Sequence, residues 1–539
     1  MLPAIAKSEL SRENSLTQTI TIGSIHNASP SLIQKTVLNE KAEKASTRDE
    51  PPSDQHDEFE VYWNEPADGD PENPVSWSHR RKAAIIGLVA FVSFLTPLAS
   101  AMFTPGIPQL MEDFHQTSSI LATFVVSIFV LGFALGPLIV APVSELMGRN
   151  VVYHTCNVFF VIFTVCCAVS VNMGMMLVFR FLAGFAGVGA LTIGGGTIAD
   201  MIPIQQRGAY MSLWSLGPIF GPIVGPIAGG FLIESTSWRW TFWVIAIASG
   251  VVTVVCWFIL KETYATVILE RKAAKLRKQT GDSRYHVRGA PTLTKKQIWS
   301  EAITRPIKIL LFSPVASLMC VYIAILFGLF YILFTTFTYV FQDQYGFSTE
   351  AAGLSYVGSG IGTLIGLGYS SVMSDRAVKK KIANGLIPIP EDRLPFYMVL
   401  PGVLFIPAGV FMYGWGAEYQ VHWIVPEIGT SIQSAGSQLI IFCVLTYLVD
   451  SYGVHAASAL AACAVLRNLA GALIPMGGLK VYEALGVGWG NTMLAFVTLA
   501  IAPIPVLFRI FGQRLRERHL RHTFGGEGEG EQQASRVEA

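Results

Sequence analysis

The chain is 539 residues long, 52% hydrophobic and 14% charged, with a formal net charge of +1 and a mean hydropathy of +0.48. A soluble domain carries about 25% charged residues, so the composition excludes an ordinary soluble protein, and the balanced charge gives no basis for binding nucleic acid. The seven cysteines (Cys156, Cys166, Cys167, Cys256, Cys320, Cys443, Cys463) all fall inside apolar runs, in neither a disulfide framework nor a zinc spacing.

Taken in chain order, residues 1–78 are polar, rich in Ser, Thr, Glu and Pro, and lack sustained periodicity. They cannot bury enough apolar surface to fold alone and carry no signal-peptide core, which predicts a disordered cytoplasmic tail. Between Arg80 and Gln513 a dozen apolar spans follow, at 83–104, 119–141, 151–171, 174–196, 209–232, 241–260, 311–338, 352–373, 395–415, 422–448, 454–478 and 489–511. About 20 apolar residues cross ~30 Å of hydrocarbon. The runs are continuous rather than alternating, so they read as helices and not as barrel strands. A basic segment, 261–308, with 12 Lys/Arg against 4 Asp/Glu, separates spans 6 and 7. The expected organisation is an all-α integral membrane protein: twelve transmembrane helices in two six-helix halves, 79–260 and 309–512, with a cytoplasmic tail at 513–539.

Charge placement orients the spans. With both termini inside, the inner side receives Arg80, Arg81, Lys82, Arg149, Arg207, the central loop, Arg376, Lys379, Lys380, Lys381, Arg393 and the Arg514/Arg516/Arg518 cluster. The outer loops receive Arg239 and Lys480, with Glu112, Asp113, Asp343, Glu350 and Glu418. The stretch Arg271–Lys278 reads as an amphipathic helix on the anionic inner leaflet, or as a solvated charged helix.

Few polar groups are embedded. Arg180 lies about a third of the way through span 4, where a charge costs ~2.5 kcal/mol or more. It therefore needs a partner, a wet cavity or the carbonyls of neighbouring helices. Span 5 holds Gly221-Pro-Ile-Val-Gly225-Pro226-Ile-Ala-Gly229-Gly230. Proline kinks a helix, and glycine at four-residue spacing lets another backbone approach. Glu427 lies near the outer end of span 10, to titrate in a proton cycle or to snorkel outward. Arg467 and Asn468 follow in span 11, and pairing of Glu427 with Arg467 is geometrically strained. Candidate cavity liners are Thr96, Pro97 and Thr104 in span 1 and Tyr331, Thr335 and Thr336 in span 7, with ordinary packing as the alternative.

Two six-span halves joined by a long loop resemble the major facilitator superfamily. The loop Ser144-Glu145-Leu146-Met147-Gly148-Arg149 is similar to its G-x-x-x-D-R-x-G-R signature, with Ala141 for the first Gly, Glu145 for the Asp and Leu146 for the first Arg. A weak echo, Ser374-Asp375-Arg376, follows span 8. Arg180-Phe-Leu-Ala-Gly184-Phe-Ala-Gly187 resembles the R-x-x-x-G-x-x-G element associated with proton coupling. Gly221, Gly225, Pro226, Gly229 and Gly230 match the antiporter signature G-x-x-x-G-P-x-x-G-G. Further stretches look like the fungal twelve-span drug:proton antiporter branch: Asn73–Ser78, Trp238–Phe242, Lys261–Ala265, His422–Pro426, Thr446–Asp450 and Leu466–Asn468.

The resemblance implies a pseudo-symmetric major facilitator fold and a proton-coupled efflux pump. Its cargo would be a hydrophobic or amphiphilic small molecule, such as a fungal secondary metabolite, toxin or drug. Glu145, Arg149, Arg180, Glu427 and Arg467 would then act in proton coupling or conformational change. The expected partners are substrate, protons and the bilayer, with no nucleotide, nucleic acid, metal or cofactor. A monomer in the plasma membrane is expected, with the vacuolar membrane as alternative. A polyamine or organic-acid transporter, an uptake symporter and a transporter-like nutrient sensor stay open. A membrane-embedded enzyme is disfavoured, since neither H-E-x-x-H nor G-x-x-x-x-G-K-[ST] occurs.

Overall fold

Long apolar runs in a solvent without hydrogen-bonding capacity must close their backbone bonds locally, and the computed structural model is built almost wholly of helices. It describes residues 59–64, 70–287, 295–384 and 389–523. Span 1 is His79–Ala101, span 2 Ser119–Met147 and span 3 Arg149–Ala168. Span 4 is broken into Met173–Gly187 and Gly189–Met201. Span 5 is Ile204–Ser235 and span 6 Trp238–Ile259. Span 7 is Pro314–Tyr345, and span 8 starts as a short piece, Thr349–Leu354, before Val357–Ala383. Spans 9 and 10 are Phe396–Glu418 and Ile424–Tyr452.

The helical stretch Ala456–Leu515 is 60 residues long, far more than one crossing needs. The chain reverses within it at Gly486, whose φ of 78° suits glycine. The Gly488 N–H beyond the turn donates to Glu418 at the end of span 9, 3.1 Å away. Spans 11 and 12 are the segments on either side of that turn.

The packing repeats between the halves. In the first, span 1 packs on 5, 2 on 4, and 3 on 4 and 6. In the second, span 7 packs on 11, 8 on 10, and 9 on 10 and 12. The halves meet along span 2 with span 11 and span 5 with span 8. The expected seven unpaired cysteines are free thiols.

The segment before span 1 differs from the expected tail. Glu60–Val61 pairs in parallel with His286–Val287 from the linker after span 6. Val61 packs with Val287 against Leu269 and Ala273 of the linker helix Ala265–Thr280. The apolar stripe of that basic helix is thus covered by the chain's own tail rather than by lipid. Asp70 is buried and accepts from the Asn64 and Glu72 N–H groups at 2.8 and 2.9 Å. Lys272 donates to Tyr62 O and Asn64 Oδ1 and lies 3.8 Å from Asp70. The tail's polarity hid this clasp because a single valine and one carboxylate carry it. Residues 1–58 and 65–69 of the tail, and 524–539, lie outside the described residues.

Burial raises the Asp70 pKa, but the two N–H donors and Lys272 outweigh it and hold the carboxyl below its ordinary value. A depressed folded value stabilises above the unfolded pKa of about 3.9 and is lost as pH falls through the folded one. Burying a valine contributes about 1.5–3 kcal/mol, and each ~1.4 kcal/mol is a factor of ten in population. Val61→Asp is therefore expected to speed amide exchange across 265–280 by at least about tenfold at neutral pH. Unchanged exchange there would show that the tail does not hold the helix.

Candidate functional site

The candidate site runs from the linker end of the bundle, where residues 70–78 and 513–523 lie, to the opposite end. At the linker end the turn Gly148-Arg149 joins spans 2 and 3, with Gly148 at φ 98°. Arg149 donates from its side chain to Ser144 Oγ at 2.6 Å and to Asp200 at 3.4 Å. Its own N–H, with that of Asn150, is accepted by the buried Glu262 carboxylate at 2.8 and 3.3 Å. Glu262 also accepts from Thr263 and Tyr264 N–H, so one linker carboxylate closes two chain turns. Glu145 is exposed at this end and is not brought to Arg149. Asp200 and Ser144 take that place, because Glu145 points off the helix face that Ser144 presents inward.

The second half repeats the arrangement. Arg393 donates to Asp450 at 2.6 Å and to Ser374 Oγ at 3.0 Å. Ser144, Arg149 and Asp200 on spans 2, 3 and 4 thus correspond to Ser374, Arg393 and Asp450 around spans 8, 9 and 10. The basic partner of the second loop is Arg393 rather than Arg376, which is exposed; the side chain of Asp375 lies outside the described residues. Asp392 beside it binds Lys381 at 2.7 Å and Arg509 at 3.1 Å. Burial raises its pKa, but these cations and the Ile389 N–H outweigh it and keep it below its ordinary value.

In mid-membrane Arg180 is 1% exposed. It donates to the carbonyls of Ala99, Ser100 and Val125 at 3.0–3.1 Å and of Val126 at 3.5 Å. Rings of Phe103 and Phe129 face its guanidinium at 4.3 and 4.8 Å. Ala99 and Ser100 belong to the last turn of span 1, whose carbonyls have no helical partner. The embedded charge is therefore spent on a helix end, tying spans 1, 2 and 4 together.

Four of the six cavity candidates are packed instead. Thr96 donates to Val92 O and Gly187 O. Thr335 and Thr336, fully buried, donate to carbonyls three and four residues back, the usual resort of a hydroxyl in an apolar helix. Pro97 packs against Gly221. Thr104 is buried with its hydroxyl unpartnered among the described residues. Tyr331 is half-buried and stands beside Ser100 and Arg467. Arg467 lies over the Phe327 ring at 4.7 Å, and neighbouring Asn468 donates to Phe133 O of the first half at 3.3 Å.

Span 5 runs along span 1. Alanine Cβ atoms at Gly217, Gly221 and Gly225 would meet span 1 atoms at 2.6, 2.8 and 3.0 Å, and Gly229 is pressed onto the Met102 carbonyl. One turn face further, Gly230 packs on Thr349 and Glu350, and Gly353 approaches the Pro226 carbonyl. The run therefore holds span 1 on one side and the start of span 8 on the other. Beyond it, the turn Thr104–Gly106 contacts spans 7 and 8, closing the halves together at the end away from the linker. A cleft of about 550 Å³ opens there, lined in part by Glu112, Gln116, Asp343, Gln344 and Glu483.

Glu427 neither snorkels outward nor meets Arg467. Its carboxylate accepts from the Gly358 N–H at 3.0 Å, capping the main segment of broken span 8. Sequence reading places Asp200 and Asp450 near inner helix ends without naming their partners, and it gives no role to Glu262 or to Arg393. Their signal was a charged residue at each linker-side helix end, recognisable only once the halves are superposed in register.

A profile of the Major Facilitator Superfamily matches residues 89–475. The chain belongs to this superfamily. It is 45% identical over 508 residues to the MFS-type transporter tndD of Aspergillus flavipes, covering 91% of this chain and 94% of that protein. It is 48% identical to the MFS-type transporter penM of Penicillium rubens, covering 85% and 89%. Efflux pump radE of Floropilus chiversii is 45% identical, covering 87% and 86%. Among solved structures, the D-xylose-proton symporter superposes with a TM-score of 0.59 at 17% identity, over 79% of this chain and 96% of that one. The partially occluded inward-open xylose transporter XylE of E. coli gives 0.58 at 16%, over 80% and 98%. At such identities the likeness concerns the fold. This major facilitator chain is a multi-pass membrane transporter, not an enzyme.

Proposed function

We propose that this transporter is a proton-coupled exporter of amphiphilic small molecules, a monomer of the plasma membrane with both termini cytoplasmic. The observation that carries the reading is the span 5 run: it clamps span 1 and the start of span 8 together, a seal on the side facing away from the linker. The Lys/Arg excess at the linker end supports a cytoplasmic placement of that end, and the printed name of one relative, an efflux pump, supports export. We assign the coupling role to Glu427. It is the carboxylate whose protonation would loosen the cap on span 8, since a neutral acid accepts the Gly358 N–H less strongly. Arg149 with Asp200, and Arg393 with Asp450, would latch the linker-side ends in alternation, with the linker carboxylate Glu262 setting the first latch; Glu145, exposed and away from Arg149, takes no part in it.

The energetics suffice. A 100 mV potential supplies about 2.3 kcal/mol per charge and one pH unit about 1.4 kcal/mol, so one proton supports a gradient of a few hundred-fold. Reconstituted vesicles given a pH gradient and no ATP are expected to move amphiphilic dye. Glu427→Gln keeps an acceptor for Gly358 but cannot titrate, and gradient-driven flux should fall at least about tenfold while dye binding stays. If that variant follows the gradient like the wild type, Glu427 is not the coupling group. If the wild type needs ATP and ignores the gradient, the coupling proposal fails as a whole.

A further inference from the structure

The two embedded arginines are treated differently by the fold. Arg180 has carbonyl acceptors around its whole fork. Among the described residues Arg467 has none: its Nε is buried without a hydrogen-bond partner, and no carboxylate is in ion-pair reach. The acid that sequence spacing offers it, Glu427, is turned onto Gly358. A guanidinium in an apolar wall with an unmet buried donor is costly, and the cost is tolerated where a ligand brings the acceptor.

Its surroundings say what that ligand is. Arg467 is half-buried on span 11, next to Asn468, the residue that reaches across to the first half. Over it lies a ladder of half-buried span 7 rings: Phe327 to Tyr331 at 5.0 Å and Phe327 to Phe330 at 6.3 Å between centroids. Tyr331 lies near Arg467 and near Ser100 of span 1, so span 1 approaches spans 7 and 11 at this position. A planar cationic fork with five donors matches an anionic oxygen pair, and the rings match a flat apolar body. We infer that Arg467 is the anion-binding group of the transport site, and that the cargo is an aromatic or polycyclic acid carrying a carboxylate or acidic enol. This rests on the reading of the protein as a transporter of amphiphiles and names their charge; it removes Arg467 from the coupling machinery.

The test uses two probes with the same ring system, pyrenebutyrate and pyrenebutanol, and purified full-length protein in neutral detergent at pH 7.5. Binding is read by energy transfer from the protein's 11 tryptophans. Wild type is expected to prefer the acid by about tenfold or more, the factor one charge-assisted contact supplies. Arg467→Gln should bind the alcohol unchanged and lose the preference; Arg467→Lys should keep part of it, since a point charge replaces the fork. Equal wild-type binding of the two probes overturns the inference without any variant. An undiminished acid preference in either variant also overturns it. Because binding is measured without a gradient, a transporter that ignores protons yet shows this Arg467-dependent preference would sink the coupling proposal and leave the anion site standing.

Discussion

Replacing Gly229 with alanine is expected to abolish transport while the protein still inserts in the membrane. The added Cβ would fall within the van der Waals envelope of the Met102 carbonyl, and backbone cannot yield as a flexible side chain does. Overpacking of this kind costs about 1–3 kcal/mol even when side chains give way, and here it separates span 5 from span 1. The effect should be graded along the helix. Gly221→Ala, with a backbone N–H at 2.8 Å, should impair transport more than Gly225→Ala, whose nearest atom is the Ala101 methyl at 3.0 Å. Gly353→Ala should behave like Gly221→Ala, because it meets the Pro226 carbonyl at 2.5 Å from the other half. Gly250→Ala in span 6 is the control: nothing lies within 4 Å of its Cβ, and helix propensity favours alanine. Dye efflux at matched surface expression measures the series. Normal efflux by Gly229→Ala would show that the run is tolerated packing and not a seal, and the export reading would lose its carrying observation.

The contrast between legible and illegible features has a physical origin. Spans were legible because an apolar run of membrane length has one solution in lipid. Some helix ends moved by only a few residues, as with span 5, expected at 209–232 and found at Ile204–Ser235, but spans 7 and 8, expected to end at 338 and 373, run on to Tyr345 and Ala383. Arg180 was legible as costly, and the structure chose the carbonyl-bonded alternative. The clasp was not legible: Val61 sits in a polar tail and its partners lie more than 200 residues away. Glu262 was missed because it caps a turn 113 residues earlier. Arg393 was missed because it is 19 residues from Ser374, whereas Arg149 is 5 from Ser144. Hydroxyls of Thr96, Thr335 and Thr336 misled because a threonine that closes on its own helix reads the same in sequence as one that faces a cavity.

Arg180→Ala is expected to abolish transport and to lower thermal stability together. Truncation strands the span 1 carbonyls of Ala99 and Ser100 inside the protein. Each unmet buried acceptor costs about 1–3 kcal/mol, and the lost volume between Phe103 and Phe129 adds a cavity term. A combined loss of about 3 kcal/mol or more follows, large against the marginal stability of a folded chain. Span 1 is the element against which Gly221 to Gly229 close, so a loosened last turn also unseats the clamp at Met102. Arg180→Lys separates charge from geometry. An ammonium keeps the charge but has no planar fork, and it can serve carbonyls of span 1 or of span 2, not both. It should recover part of the melting temperature and a minor share of efflux. The decisive comparison is efflux against melting temperature, measured on the same detergent-solubilised and reconstituted samples. Transport lost at unchanged melting temperature would assign Arg180 to coupling rather than to holding spans 1, 2 and 4. Wild-type efflux by the alanine variant would remove it from the mechanism altogether, because the four hydrogen bonds it makes would then contribute nothing that the transport cycle needs.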